Sequence, residues 1–187
     1  AILGDIGSGK TFISKQFGYP IFNADEEVRK IYKKDKSCFL KIKKAFPKFI
    51  LSNFLNKKEL MDVILDDFEN LKKISKIVHP LVRKKLNNFL KKNKKRKMVV
   101  LDIPLFIENK LNKKNDILVC IKAKKKDIQK KLKKRKNYNR EIFKNLKLIQ
   151  LPLSKKKRMS DFKLVNNFNS NKIKKDIIKI IKKILNK

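Results

Sequence analysis

The sequence predicts an α/β fold in which helices flank a parallel β-sheet. Short, continuous apolar runs, which are typical of buried parallel strands, alternate with longer stretches of helical periodicity. The clearest runs are 98–103, which contains the acid Asp102, and 117–121. Strands that alternate with helices along a chain usually form a parallel sheet with right-handed crossover connections. We therefore expect one α/β domain over residues 1–187.

The segment from Gly4 to Thr11 carries the clearest functional signal in the chain. It follows the apolar residues 1–3, precedes a predicted helix and holds three of the four glycines. This order is that of a phosphate-binding loop (P-loop), in which backbone N–H groups and a helix start surround phosphate oxygens. The alternative is a Gly-rich turn before a helix, which is a far less specific pattern. The predicted nucleotide-binding residues are Gly4, Asp5, Ile6, Gly7, Ser8, Gly9, Lys10 and Thr11.

Three side chains have predicted roles in phosphate chemistry. Lys10 is expected to reach the outer phosphates of ATP and to assist catalysis, and the Thr11 hydroxyl is expected to bind Mg²⁺. Asp102, at the carboxyl end of a predicted strand, is expected to bind the same ion through water. The alternative for Asp102 is a cap on the following turn. The cofactors predicted by this set are ATP and Mg²⁺.

The other predicted elements complete the domain. A short strand at 19–23 leads into a helix that Asp25 is expected to cap. Residues 36–95 show helical periodicity, with Pro80 expected to separate the last two helices, which suggests an inserted helical substrate-binding subdomain. Residues 124–158 are very basic and suit a lid that closes over ATP. The last predicted elements are a strand at 162–165 and a helix at 170–186.

The net charge of +36 suggests an interaction with polyanions. However, the basic residues are spread along the whole chain, and 47 lysines stand against only six arginines. Arginine is the residue favoured for two-pronged recognition of phosphates and bases. We therefore interpret most of the lysine excess as compositional and located on solvated helix faces. Weak, salt-sensitive binding of nucleic acid is expected from the charge without being the function.

The remaining composition bears on the location of the protein. Cys38 and Cys120 lack the spacing of a metal site and are expected to be free, buried thiols in a reducing compartment, the cytoplasm. No apolar run approaches the roughly 18 to 20 residues of a membrane span. The chain begins at Ala1, and we expect a few residues of the first strand to precede it. The expected assembly is a monomer or a weak oligomer.

The order of the motifs distinguishes among proteins with a P-loop. Two observations argue against a GTPase. The segment most similar to the guanine-binding motif Asn-Lys-x-Asp is 56–59, which ends in Glu, and Asp102 is not followed by the Gly found after the corresponding Asp in many GTPases.

The chain closely resembles the dephospho-CoA kinase family over nearly its whole length. Besides the P-loop, the segments that carry the resemblance are Asn23-Ala24-Asp25 with Arg29, His79-Pro80-Leu81-Val82, Asp102-Ile103-Pro104-Leu105-Phe106-Ile107-Glu108, and Arg158-Met159-Ser160-Asp161-Phe162 before Asn166-Asn167.

This resemblance implies transfer of the ATP γ-phosphate to the 3′-hydroxyl of dephospho-CoA, a small-molecule substrate. It implies that Asp25 orients the acceptor hydroxyl and accepts its proton, and that Arg29 binds acceptor phosphate. It also implies an acceptor contact for His79 in the helical subdomain, whereas Glu108 is expected either to orient the Asp102 cluster or to bind acceptor. Each of these residues has an alternative structural role, which is a helix cap for Asp25, a surface ion pair for Arg29, and packing or bracing for His79 and Glu108.

The basic lid is where the sequence departs from the family pattern. Arg135 and Arg140 are expected to clamp ATP phosphates, with solvated surface charge as the alternative. Leu153 stands where many members have Arg, so that Lys156 would have to supply the charge, and Asn23 replaces an acid. Two other functions stay open at this stage, a P-loop kinase with a nucleoside or nucleotide acceptor and an ATP-dependent nucleic-acid-binding module.

Overall fold

The computed structural model describes residues 1–134 and 138–186, and the chain divides into two compact units. The first unit comprises Ala1–Asn23 and Asn93–Lys187, and the second comprises Ala24–Lys92. In chain order the elements are β1 (Ile2–Gly4), α1 (Lys10–Gln16), β2 (Ile21–Asn23), α2 (Ala24–Lys34), α3 (Lys36–Ala45), α4 (Lys57–Asp66), α5 (Asn70–Lys92), β3 (Val100–Asp102), β4 (Val119–Ala123), α6 (Lys125–Lys133), α7 (Arg140–Leu148), α8 (Leu153–Arg158), β5 (Phe162–Asn166) and α9 (Ser170–Leu185).

The strands of the first unit all pair in parallel. β4 lies between β1 and β5, and β2 pairs with β3 in a separate hydrogen-bonded ladder. β3 also lies beside β1, so the two ladders adjoin. In the β2–β3 register Asn23 stands opposite Asp102, which places two polar side chains at the carboxyl edge of neighbouring strands. The parallel α/β fold predicted from the sequence is therefore confirmed.

The two faces of this sheet are covered by different helices. Ile2, Val119 and Ile121 pack with residues of α1 and α9, and Ile173 and Ile177 of α9 are fully buried there. Because side chains alternate along a strand, Leu3 and Cys120 face the other side, where α8 packs against β1. The apolar stripe of α9 thus closes one face of the sheet, as its helical spacing predicts.

The second unit consists of α2 to α5 around its own apolar core. α2, α3 and α4 each pack against α5. Asp35 caps α3 by accepting a hydrogen bond from Cys38 N, and Asn56 caps α4 by accepting one from Glu59 N at 2.9 Å. The segment 56–59 is therefore a helix start. The buried core residues of the second unit are Ile31, Cys38, Ile42, Phe46, Ile50, Leu55, Leu60, Val63, Ile74 and Val78.

The prediction that Pro80 separates two helices is wrong, because Pro80 lies inside α5. An interior proline loses the hydrogen bond to the carbonyl four residues earlier and costs about 3 kcal/mol. Ile74 and Val78 before the proline, and Leu86 after it, are all buried. Burial of each such side chain contributes about 1.5–3 kcal/mol. Packing on both sides of Pro80 therefore outweighs the local penalty and keeps one helix.

The prediction that Asp25 caps α2 is also wrong, since the helix already begins at Ala24. Strand β2 ends at Asn23, and α2 begins at the next residue, Ala24. Asp25 lies instead in the first turn with Glu26 and Glu27, where carboxylates favour the positive end of the helix.

The two cysteines are free and buried. Burial raises the pKa of the Cys38 thiol to about 11, with a smaller contribution from the Asp35 carboxylate. Burial likewise raises the pKa of the Cys120 thiol, against the opposing charges of Lys157 and Lys156. Across the described residues, none of the helices has the length and apolar character needed to cross a bilayer.

Candidate active site

The loop between β1 and α1 has the backbone of a phosphate cradle. Gly4, Gly7 and Gly9 have φ values of 149°, 83° and 88°, which glycine adopts without a steric penalty. Asp5 O accepts a hydrogen bond from Ser8 N at 3.1 Å, so residues 5–8, including Ile6, form a tight turn. Gly9 occupies the N-cap position of α1, and no side chain caps the helix there. The first N–H groups of α1 thus fit an anionic ligand.

The side chain of Lys10 lies along this loop. Its ammonium Nζ donates to Gly4 O at 3.1 Å and to Asp5 O at 2.9 Å. These two carbonyls hold a positive charge beside the glycine backbone, where phosphate oxygens would lie in a P-loop.

Buried Asp102 is the centre of a partly buried polar cluster beside the loop. Its Oδ2 atom accepts hydrogen bonds from Thr11 Oγ1 and from Asn23 Nδ2, each at 2.6 Å. Asp102 is 3% exposed, and its position at the carboxyl end of β3 follows from the parallel register with β2. The sequence predicts that Thr11 and Asp102 bind the same ion, and the structure brings the two side chains into contact. A hydroxyl and a carboxylate in contact supply the hard oxygen ligands that Mg²⁺ prefers.

Asn23, which replaces an acid of the family pattern, is a neutral partner in this cluster. Its amide donates to Asp102, so the substitution supplies a hydrogen bond without adding a second negative charge beside the carboxylate. This arrangement leaves the Thr11–Asp102 contact intact.

Two other elements of the first unit brace the P-loop. Ile128 and Leu132 of α6 pack so closely on Gly7 that a Cβ added there would lie 3.0 Å from each of them. From β5, Asn166 Nδ2 donates to Ser8 O at 2.8 Å. From the sequence, Asn166 is noted only as part of the pair Asn166-Asn167 and has no predicted role of its own. The signal available for it was a polar residue at the end of the last parallel strand, which is where ligand sites of such sheets lie.

Glu108 and Lys156 form a buried ion pair. Lys156 Nζ lies 2.9 Å from Glu108 Oε1, and the two side chains are 1% and 10% exposed. The same carboxylate oxygen accepts a hydrogen bond from Leu151 N at 2.9 Å. Glu108 therefore joins the segment after β3 to the start of α8, and Lys156 reaches inward instead of standing on the basic surface.

The predicted acceptor residues Asp25, Arg29 and His79 lie in the second unit. Asp25 and Arg29 are exposed on α2, and Arg29 Nε donates to the backbone oxygen of Asp25 at 3.4 Å. His79 is half-buried on α5, where desolvation by burial, and then the charge of Arg83, lower the pKa of its imidazole below the ordinary 6.5. Their predicted contacts with substrate stay predictions.

The predicted phosphate clamps occupy the basic segment. Arg140 is the exposed first residue of α7, and Asn139 caps that helix by accepting from Ile142 N at 3.0 Å. Arg135 lies outside the described residues. The clamp role of both arginines stays a prediction.

The glycine backbone, Lys10 and the Thr11–Asp102 pair together define a class of protein. The same combination is typical of P-loop phosphotransferases, in which a parallel sheet places a phosphate-binding loop and an acidic side chain at neighbouring strand ends.

Comparisons with known proteins agree with this class and identify one family within it. A family model described as dephospho-CoA kinase matches residues 1–172. The dephospho-CoA kinase of the Wolbachia of Brugia malayi is 35% identical over 166 residues, which is 86% of this chain and 85% of the relative. The chain belongs to the dephospho-CoA kinase family.

Two solved structures share the fold. A crystal structure of a protein from Thermus thermophilus has a TM-score of 0.76 and 23% identity, covering 96% of this chain and 93% of its own. A dephospho-CoA kinase from Campylobacter jejuni has a TM-score of 0.63 and 23% identity, covering 98% of this chain and 95% of its own.

Proposed function

We propose that the protein transfers the γ-phosphate of ATP to the 3′-hydroxyl of dephospho-CoA, giving CoA and ADP. Membership of the family over residues 1–172 supports this reaction. The observation that carries it is the contact of Thr11 with Asp102 beside the glycine cradle, because that pair suits a metal-bound phosphate donor.

The donor site would be held by residues of the first unit. The backbone from Gly4 to Thr11 and the Lys10 ammonium would surround the ATP phosphates, and Thr11 and Asp102 would hold Mg²⁺. When bound, Mg²⁺ neutralises charge that develops on the phosphoryl oxygens. The residues present fit both groups, since the α1 N–H groups lack a side-chain cap and the Asp102 carboxylate faces a hydroxyl.

Asp25 is proposed as the group that receives the acceptor proton. Asp25 follows Asn23 by two residues in the chain, and Asn23 is hydrogen-bonded to Asp102. A carboxylate there would orient the acceptor hydroxyl and accept its proton as the phosphoryl bond forms. Arg29, one helical turn further on, is proposed to bind acceptor phosphate.

The helical unit Ala24–Lys92 is proposed to bind the acceptor, with His79 among its contacts. The basic residues 124–158 are proposed to act as a lid, with Arg135 and Arg140 as phosphate clamps. We further propose a cytoplasmic location, supported by the two free buried thiols, and a monomer or weak oligomer that binds nucleic acid only through its charge.

A coupled assay of ADP release tests the reaction. Dephospho-CoA, a panel of nucleosides and nucleotides, and single-stranded RNA are offered as acceptors or activators with ATP and Mg²⁺. We expect turnover with dephospho-CoA alone. Turnover with a nucleoside or nucleotide instead would change the acceptor, and stimulation only by RNA would assign the protein to an ATP-dependent nucleic-acid-binding class.

The ion pair of Glu108 gives a prediction that separates bracing from acceptor binding. Glu108→Gln leaves buried Lys156 without its counter-charge, so it is expected to lower the free energy of unfolding by about 3 kcal/mol, the lower end of the cost of breaking a buried ion pair. If the carboxylate only braces α8, the KM for dephospho-CoA stays within about twofold of the parent. Denaturant unfolding and steady-state kinetics measure the two quantities.

Lys156→Met and the double variant complete this cycle. The double variant is expected to lose less unfolding free energy than the sum of the losses in the two single variants, because each single change leaves one buried partner without its counter-charge. An increase in KM for dephospho-CoA in Glu108→Gln, with unchanged stability, would instead assign Glu108 to the acceptor site.

The lowered pKa of His79 predicts a pH-dependent stability. Because folding disfavours the protonated imidazole, the stabilisation is present above pH 6.5 and is lost as the pH falls below this value. We expect the difference in unfolding free energy between the parent and His79→Gln to fall from about pH 7.5 to about pH 5. A difference that is constant over this range would contradict the burial of a neutral His79.

A further inference from the structure

Asn166 is a buried polar residue to which no role in the reaction has been assigned. It ends β5 and is fully buried, and its amide makes two separate hydrogen bonds. Nδ2 donates to Ser8 O at 2.8 Å, and Oδ1 accepts from Phe168 N at 2.8 Å. One bond therefore reaches the P-loop, whereas the other shapes the turn that follows β5.

The bond to Ser8 O fixes the orientation of a peptide group in the cradle. In a trans peptide the carbonyl and the N–H point in opposite directions, so holding Ser8 O against Asn166 turns the Gly9 N–H away from β5. The N–H groups of such a loop are what bind phosphate oxygens. The orientation of this one peptide thus bears directly on phosphate binding.

The packing around Gly9 shows how closely Asn166 approaches the loop. A Cβ built on Gly9 would lie only 2.3 Å from Asn166 Nδ2 and 3.4 Å from the Phe168 ring. A side chain at position 9 would therefore push the amide off Ser8 O. The glycine serves two purposes, since it allows the φ of 88° and it leaves room for the amide.

We propose that Asn166 is a positioning residue for ATP, which orients the Ser8–Gly9 peptide so that the loop N–H groups face the phosphates. The proposal rests on the proposed function only in taking a nucleoside phosphate as the ligand of the P-loop. The contribution of Asn166 to ATP binding comes from the hydrogen bond of Nδ2 to Ser8 O, and not from the turn that the hydrogen bond between Oδ1 and Phe168 N holds.

Two variants separate these bonds. Asn166→Ser and Asn166→Asp each keep an oxygen that can accept from Phe168 N, as serine and aspartate do in turns, but both lose the amide donor to Ser8 O. Serine is neutral and aspartate adds a negative charge, so a loss of ADP affinity that both variants share does not come from the added charge. Asn167→Ala, at the exposed next residue, is the matched control.

The measurements are the Kd for ADP by calorimetry, the KM values for ATP and dephospho-CoA, and the free energy of unfolding. We expect both variants to bind ADP about tenfold more weakly, consistent with the cost of an unsatisfied buried acceptor. The KM for ATP should rise in parallel, while the KM for dephospho-CoA and all values for Asn167→Ala stay within about twofold of the parent.

Three outcomes would overturn the proposal. Parental ADP affinity in both variants would show that the Ser8 bond does not matter for binding. Weak binding in Asn166→Asp alone would assign the effect to added charge, and an equal rise in both KM values would indicate general loosening. The ADP measurement needs no acceptor, so it decides the inference even if dephospho-CoA is not turned over.

Discussion

Asp25→Asn is expected to lower kcat at least about a hundredfold, the lower end of the roughly 10²–10⁴ contributed by a general base. Asparagine has nearly the same shape, so the acceptor hydroxyl should still be bound, but the amide cannot take its proton. The Thr11–Asp102 contact is made without the Asp25 side chain. ATP affinity is therefore expected to stay near the parental value, as measured by calorimetry beside steady-state kinetics.

Glu26→Gln is the matched control for this prediction. Glu26 follows Asp25 in the first turn of α2 and is also exposed, so it loses the same charge near the same helix end. Turnover near the parental rate in Asp25→Asn would contradict the assignment as base. An equal loss in both variants would attribute the effect to charge at the start of α2.

Gly9→Ala is expected to lower kcat/KM for ATP at least about a hundredfold, through weaker phosphate binding. An alanine at a φ of 88° is strained by about 1–2 kcal/mol. In addition, its Cβ would lie 2.3 Å from Asn166 Nδ2, which must move away and release Ser8 O. The two effects act on the cradle together, so ADP affinity should fall with kcat/KM.

Gly18→Ala separates strain from crowding. Gly18 has a φ of 72°, and a Cβ there meets nothing within 4 Å. This variant should lose about 1–2 kcal/mol of stability and keep parental turnover, since its strain lies away from the P-loop. If Gly9→Ala retains parental ADP affinity, the close packing of Asn166 on the loop is not needed for binding.

Local sequence patterns predicted the strands well. Each predicted apolar run overlaps an observed strand, because a buried parallel strand must be apolar on both faces and so leaves a continuous signal. The helix boundaries near Pro80 and Asp25 were wrong for a different reason. Near Pro80, the helix continues because of packing against residues distant in sequence, which local propensity does not record. At Asp25, the start of α2 is set by the end of β2 at the preceding residues, and such helix boundaries are poorly fixed by propensity.

The candidate site likewise contains parts that the sequence predicts and parts that it does not. The loop from Gly4 to Thr11 was predictable because its phosphate-binding chemistry needs residues adjacent in the chain. The bond between Asn166 and Ser8 joins residues 158 positions apart, and the pair of Glu108 with Lys156 depends on how α8 packs on the sheet. Such contacts have no local pattern, and Lys156 in particular is hidden among many exposed lysines.

The separation between Ser8 and Asn166 also bears on how the protein is made. Synthesis proceeds from the amino terminus, so β1 and its glycine loop emerge from the ribosome before β5. The loop nevertheless lacks its hydrogen bond from Asn166 until β5 has joined the sheet, because Ser8 and Asn166 are 158 positions apart. A nascent chain should therefore reach its full affinity for nucleotide only after β5 has been synthesised and has joined the sheet.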